Sequence, residues 1–271
     1  MLTAPPRHFS LRPRALAAAL MLAATAALTA CNINISNQAE GRSEWKKSYT
    51  LAAGGSLEIK NTNGVIEVDP SDGDTVEVTA ERIAKAMTEA DAKKAAEDMA
   101  IKETVSAGSI LLDGRTNNNG IMLGGNREIK FHVRAPKGAS VTLSTTNGAL
   151  TVRDITGEVR LDTTNGHIKA TNLAGTTRAE TVNGEVDLDF AALGSGGVTV
   201  ETVNGAVGVA LPKTAKARVN VKVTNGGIAA DDLSLNASEQ SKRRLSGDLN
   251  GGGPEIRIDT VNGGVRLRGK S

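Results

Sequence analysis

The chain holds one cysteine, three histidines and few aromatic rings: one Trp, one Tyr and three Phe among 271 residues. A lone Cys excludes an internal disulfide framework. His8, His132 and His167 show no His/Cys/Glu spacing of a zinc site, so neither a metal nor a cofactor is expected. Ser195 lies in Gly194-Ser195-Gly196-Gly197, which lacks the residues that separate the glycines of a nucleophile elbow. Positive charge is also missing where it would count. The formal net charge of +2 depends on Arg7, Arg12 and Arg14, and the chain after residue 30 carries 29 basic against 30 acidic side chains. A nucleic-acid partner is therefore not expected.

Only one long apolar run occurs, over 15–28, just after the basic N-terminal segment. It is too short to span a bilayer and has the length of a signal-peptide core. It ends in Leu28-Thr29-Ala30-Cys31, which resembles the lipobox of bacterial lipoproteins. The resemblance implies cleavage before Cys31 and lipidation of its sulfur, a stable membrane anchor when several acyl chains are attached. The other reading is ordinary secretory cleavage after Ala30, which Leu28 disfavours because it occupies a position that wants a small residue. Asn32 is not the Asp that retains lipoproteins in the inner membrane, so the sorting resemblance points to the outer membrane. The expected layout is a signal peptide over 1–30, lipidated Cys31 with a flexible tether over 31–43, and a folded domain over 44–271.

What the sequence does have is glycine, 30 of them, many in a repeated corner. Asn-Gly pairs recur at Asn63-Gly64, Asn147-Gly148, Asn165-Gly166, Asn183-Gly184, Asn204-Gly205, Asn225-Gly226 and Asn262-Gly263. Two, four and six residues before the Asn the side chains are apolar or small, as in Thr163, Leu161 and Val159, except in the weaker first copy, which has Asn61, Ile59 and Leu57; three and five residues after it they are apolar again, as in Ile168 and Ala170. Period-2 alternation on both sides, with a change of parity between, reads as strand, corner, strand. Asn and Gly suit the corner because both tolerate positive φ. Successive pairs from Gly148 to Gly226 are 18, 18, 21 and 21 residues apart, and Gly157 and Gly175 mark a second corner in the shorter units.

Two all-β architectures fit: an antiparallel meander with Asn-Gly hairpins, or a parallel β-helix-like solenoid with coils of 18–21 residues. The solenoid is preferred because it stacks like on like about 4.8 Å apart. Asn147, Asn165, Asn183, Asn204 and Asn225 would then form an amide ladder, with the preceding inward Thr bonding similarly.

Residues 45–51, with the only Trp and Tyr, read as a first strand capping one end of the stack. One short helix is expected over about 89–100, started by Thr88 and burying Met87, Ala90, Ala95 and Met99. Residues 115–126 form a Gly/Asn-rich loop carrying Ile121, Met122 and Leu123. The repeats proper run over about 139–230, with a last one at 255–268. Between them, 234–253 reads as an excursion containing Lys242-Arg243-Arg244.

The strand ending in Ala135-Pro136-Lys137-Gly138, followed by Thr-Thr-Asn-Gly and Thr-Val-Asn-Gly corners, resembles the bacterial putative-adhesin domain family of unknown function. The resemblance covers about 51–270 and implies a β-solenoid at the cell envelope; it brings no catalytic residues. The expected function is a non-enzymatic, membrane-anchored envelope lipoprotein that presents a binding or structural surface to an envelope protein or surface polysaccharide. One alternative is a carbohydrate-active β-helix lyase or hydrolase using Asp154, Asp162, Asp187, Asp189 or Asp259. It lacks the rings that line most sugar subsites, since after residue 30 there are only Trp45, Tyr49, Phe131 and Phe190. The other is an envelope-stress accessory protein.

Overall fold

A computed structural model describes residues 38–115 and 126–270. Cys31, the signal segment and Ile121, Met122 and Leu123 lie outside the described residues. The strands are β1 (Ala39–Thr50), β2 (Ser56–Lys60), β3 (Ile66–Ser71), β4 (Thr75–Ala86), β5 (Lys102–Ser106), β6 (Ser109–Asp113), β7 (Arg127–Pro136), β8 (Ser140–Asn147), β9 (Leu150–Arg153), β10 (Val159–Asn165) and β11 (Ile168–Leu173). They continue with β12 (Thr177–Asn183), β13 (Val186–Phe190), β14 (Val198–Asn204), β15 (Val207–Pro212), β16 (Ala217–Asn225), β17 (Ile228–Asp231), β18 (Leu235–Gln240), β19 (Arg244–Leu249), β20 (Glu255–Asn262) and β21 (Val265–Lys270). The helix α1 spans Glu89–Glu97.

Each Asn-Gly pair joins a strand of an upstream sheet to a strand of a downstream sheet. Equivalent strands pair in parallel and in register. Val159 lies opposite Val141 and Thr177, Asn165 opposite Asn147 and Asn183, and Ile168 opposite Leu150 and Val186. Parallel pairing makes the chain a β-solenoid and excludes the meander.

The alternation in the sequence becomes one continuous core between the sheets. Leu143, Leu161, Ala179, Val200, Ile258 and Val221 are at most 1% exposed, and so are Leu150, Ile168, Val207 and Val152. Phe131 and Phe190 are the two rings sealed inside it. Such short aliphatic side chains suffice because each inner coil is covered above and below by another. The inward pattern fails in one coil: Ile228 is half-buried and Ala230 exposed, because β17 is the last strand of its sheet.

The coils do not stack in sequence order. The upstream sheet runs β18-β19-β16-β20-β14-β12-β10-β8-β2-β6-β5, and the downstream sheet β1-β4-β7-β3-β9-β11-β13-β15-β21-β17. The final coil, β20/β21, thus slots between β14/β15 and β16/β17. The 234–253 excursion is the β18–β19 hairpin, which lies antiparallel beside β16 before the chain turns back. At the other end β6 and β7 pair in parallel with β2 and β3 as a further coil.

The first strand starts at Ala39, not after 43. Gly41 lies against the helix, where a Cβ would come within 2.2 Å of the Ala92 backbone, so 39–43 is packed strand and not tether. The helix is capped by the Thr88 hydroxyl, which accepts from the Asp91 N–H at 3.1 Å. Its buried side is Ala92, Ala95 and Ala96, continued by Met99, whereas Met87 is 68% exposed and Ala90 also faces out. Trp45 and Tyr49 pack against the end of the core as expected of a cap. The Tyr49 hydroxyl donates to Glu103 at 2.8 Å, tying the outer strand of one sheet to the outer strand of the other. Burial, helped by the hydrogen bond to Glu103, raises the Tyr49 pKa well above its ordinary value.

Candidate functional site

The corner residues form a ladder along one edge of the solenoid. Each Asn donates its side-chain N–H to the Oδ1 of the neighbouring Asn. The distances are 2.8 Å for Asn147 to Asn63, 2.9 Å for Asn165 to Asn147, 2.9 Å for Asn183 to Asn165 and 2.8 Å for Asn204 to Asn183. They are 2.8 Å for Asn262 to Asn204 and 2.9 Å for Asn225 to Asn262. Asn63 ends the row on the Arg127 carbonyl at 3.2 Å. The ladder is longer than the five residues expected, and Asn262 stands between Asn204 and Asn225.

The inward Thr residues do not pair with one another. Thr163 donates to the Gly148 carbonyl at 3.1 Å and Thr181 to the Gly166 carbonyl at 3.3 Å, while the buried hydroxyls of Thr202 and Thr260 have no partner. Asn61 takes the same place in the first coil and donates to the Ile129 carbonyl at 2.8 Å.

The corner glycines are required for space more than for φ. A Cβ on Gly166, Gly184 or Gly205 would sit 1.8 to 1.9 Å from the carbonyl oxygen of the preceding corner Gly. None of these three has a positive φ, and no corner Asn does; among the corner glycines only Gly64, Gly226 and Gly263 do. Left-handed non-glycine residues occur elsewhere, at Asp154 and Asn172 beside the second corner, where the Asn172 side chain donates to Asp154.

Beside the ladder, the outward face of the upstream sheet presents straight rows of like residues. Immediately before each Asn come Thr164, Val182, Val203, Val261 and Thr224, with the three valines 40 to 41% exposed. Two residues earlier the row reads Asp162, Glu180, Glu201, Asp259, Lys222 across β10, β12, β14, β20 and β16. The next row holds Arg160, Arg178 and Arg257. Arg178 pairs with Glu180 and, at 3.5 Å, with Glu201; Arg257 pairs with Asp259 at 2.8 Å. Asp162 has no such partner. Its pKa is raised from 3.8, first by loss of solvent and then by Glu180, with Arg178 opposing. The first two rows, with Arg257 from the third, line a concavity of about 460 Å³.

The acids singled out in the sequence do not converge. Asp162 and Asp259 face out of the upstream sheet, whereas Asp187 and Asp189 face out of the downstream sheet with the core between. Asp189 is paired with Lys270, and Asp154 sits in a corner. Neighbouring charges on that second face also pair off, as in Arg153 with Asp69 at 2.7 Å and Arg266 with Asp231 at 3.6 Å. His132 contacts Glu67 at 3.1 Å, while His167 accepts from the Glu185 N–H at 3.4 Å. Lys242 and Arg243 lie exposed at the tip of the β18–β19 hairpin. Among the described residues no group of three His, Cys, Asp or Glu could hold a metal ion, and no helix is long and apolar enough to cross a membrane.

The Val and Arg/Glu rows escaped the sequence reading, although the parity that found the core marks them: the residue just before each Asn must face out. What this face can do chemically is bind, by burying three valines and exchanging ion pairs, along an array with a spacing of about 4.8 Å.

Residues 55–268 match the family model described as Toastrack DUF4097. No curated protein is a significant match. Among solved structures, a putative cell adhesion protein from Clostridium sporogenes is 15% identical, over 84% of this chain and 100% of its own, with a TM-score of 0.49. A putative adhesin from Bacteroides fragilis is 11% identical, over 84% and 97%, with a TM-score of 0.43. A putative lipid binding protein from Parabacteroides distasonis is 12% identical, over 84% and 97%, with a TM-score of 0.27.

Proposed function

Starting from the premise that the chain belongs to the Toastrack DUF4097 family, we propose that it is a non-enzymatic binding protein of the bacterial cell envelope, held by lipid on Cys31. The observation that carries the binding role is the outward face of the upstream sheet. There an exposed stripe of Val182, Val203 and Val261 runs beside an ordered row of carboxylates and arginines. Exposed valines at regular spacing are costly to leave in water and gain from being covered. A partner with an extended, periodic form, such as a surface polysaccharide or a strand of another envelope protein, matches an array that repeats once per coil.

The test is a binding screen of the soluble chain from residue 38 against envelope glycans and envelope extracts, with product release followed in parallel. Saturable binding without new product, lost in Val203→Arg, is the expected result. Product release, or binding unaffected by Val203→Arg, overturns the reading. The anchor is tested separately: Cys31→Ser is expected to move the protein from the membrane fraction to the soluble fraction and to abolish labelling by a tagged fatty acid.

A further inference from the structure

An Asn-Gly pair is chemically vulnerable. The glycine nitrogen, unshielded by a Cβ, can attack the side-chain carbonyl carbon of its own Asn. A chain with seven such corners along one exposed edge therefore needs something that keeps the reacting atoms apart. The ladder supplies it twice over. In six corners the Gly N–H donates to the Asn carbonyl of the next coil: Gly64 to Asn147 at 2.8 Å, Gly148 to Asn165, Gly166 to Asn183 and Gly263 to Asn225 at 3.0 Å, and Gly184 to Asn204 and Gly205 to Asn262 at 2.9 Å. In the same six, the side-chain amide is clamped at both ends, its nitrogen donating to one neighbour and its oxygen accepting from another.

The seventh corner has neither restraint. Asn225-Gly226 belongs to the last coil of the stack, so no coil lies beyond it to take the Gly226 N–H or to donate to the Asn225 Oδ1. The β18–β19 hairpin does not replace that coil, since its pairing with β16 stops at Lys222 and at the Val223 N–H. Asn225 is exposed, and its side chain is held only by its donation to Asn262.

We propose that Asn225 is the deamidation site of the ladder. The Gly226 nitrogen loses its proton to solvent base and bonds to the Asn225 Cγ; the Cγ–Nδ2 bond breaks and ammonia leaves. Water then opens the five-membered imide at either carbonyl, leaving aspartate or isoaspartate at that position. No oxidant or cofactor is required. The product removes the amide donor that reached Asn262 and puts a negative charge at the exposed end of the solenoid. Asn250-Gly251, a pair outside the ladder, is pinned differently: the Asn250 amide donates to the Lys213 and Ala215 carbonyls at 2.9 and 2.8 Å.

The experiment is a time course of the full chain in mildly alkaline buffer, folded and in urea, read by tryptic mass mapping. Residues 223–242 form one tryptic peptide, in which fragmentation separates Asn225 from Asn236. In the folded protein Asn225 is expected to convert about tenfold or more faster than Asn147, Asn165, Asn183 and Asn204, whose hydrogen bonds must open first. In urea that lead is expected to collapse. An interior corner converting as fast as Asn225 in the folded protein overturns the proposal. So does a lead that persists unchanged in urea, since the local sequence alone would then be its cause.

Discussion

Replacing Gly184 by Ala adds one methyl group to a protein of 271 residues, and the stack leaves no place for it. The new Cβ would lie 1.8 Å from the Gly166 carbonyl oxygen and 2.6 Å from its carbon. An unstrained contact is about 3.5 Å, so two backbones must part by more than about 1 Å. The bonds that cross that gap, from Gly166 N–H to the Asn183 carbonyl at 3.0 Å and between the Asn183 and Asn165 amides at 2.9 Å, then pass beyond hydrogen-bond range. Overpacking of about 1–3 kcal/mol and two lost bonds at about 1 kcal/mol each give roughly 3–5 kcal/mol. Two controls isolate the cause. Gly227→Ala meets nothing within 4 Å and is expected to stay within about 0.5 kcal/mol of the parent. Gly73→Ala also has open space but a φ of +80°, and is expected to lose about 1–2 kcal/mol from backbone strain alone. Urea melts followed by circular dichroism, with midpoints compared at constant slope, measure all three. A Gly184→Ala protein no weaker than Gly73→Ala would refute the claim that space, and not φ, selects glycine at the corner.

Two further outcomes follow from buried and half-buried polar groups. Thr163→Val loses the bond to the Gly148 carbonyl and is expected to cost about 1 kcal/mol, whereas Thr202→Val removes a buried hydroxyl without a partner and is expected to be neutral or stabilising by up to about 1 kcal/mol; paired melts decide between them. For Asp162, a pKa raised in the folded state means that its contribution favours folding at low pH and is lost as the pH rises through the folded-state value. Asp162→Asn is therefore expected to melt at or above the parent at neutral pH, with the difference closing as the pH falls below 3.8; a lower melting point at neutral pH would contradict it.

The coil was legible because its two periodicities are written in residue types: Val159, Leu161 and Thr163 turn inward for the same reason that Ile168 and Ala170 do after the corner. The Asn row was legible because stacking like on like gives a polar side chain a reason to recur. The order of the coils was not. A spacing of 37 residues between Gly226 and Gly263 records how far the chain travels before its next corner, while the neighbour of that corner is chosen by hydrogen bonds from residues far away in sequence. The β6/β7 coil was hidden for another reason: it has the inward pattern of Ile110, Leu112, Phe131 and Val133, but Arg115 and Asn117 stand where most other copies carry apolar or small residues before the Asn of the intervening Asn119-Gly120 pair. Gly41 reads as spacer because nothing local reveals that a helix some 50 positions later will rest on it.

The slot filled by β20/β21 also imposes a schedule on the making of the protein. A chain emerging from its N-terminus can add β8/β9 through β14/β15 one after another, each new coil growing on the one before. β16/β17 breaks that rule, for its permanent neighbour is still unsynthesised when it appears. It must wait with only the β18–β19 hairpin beside it, or sit for a time in the place that β20/β21 will claim, until the strand beginning at Glu255 arrives and completes both parallel contacts at once. The stack closes like an arch whose keystone is delivered last, so a chain stopped before Glu255 keeps most of its coils yet cannot finish the wall they make.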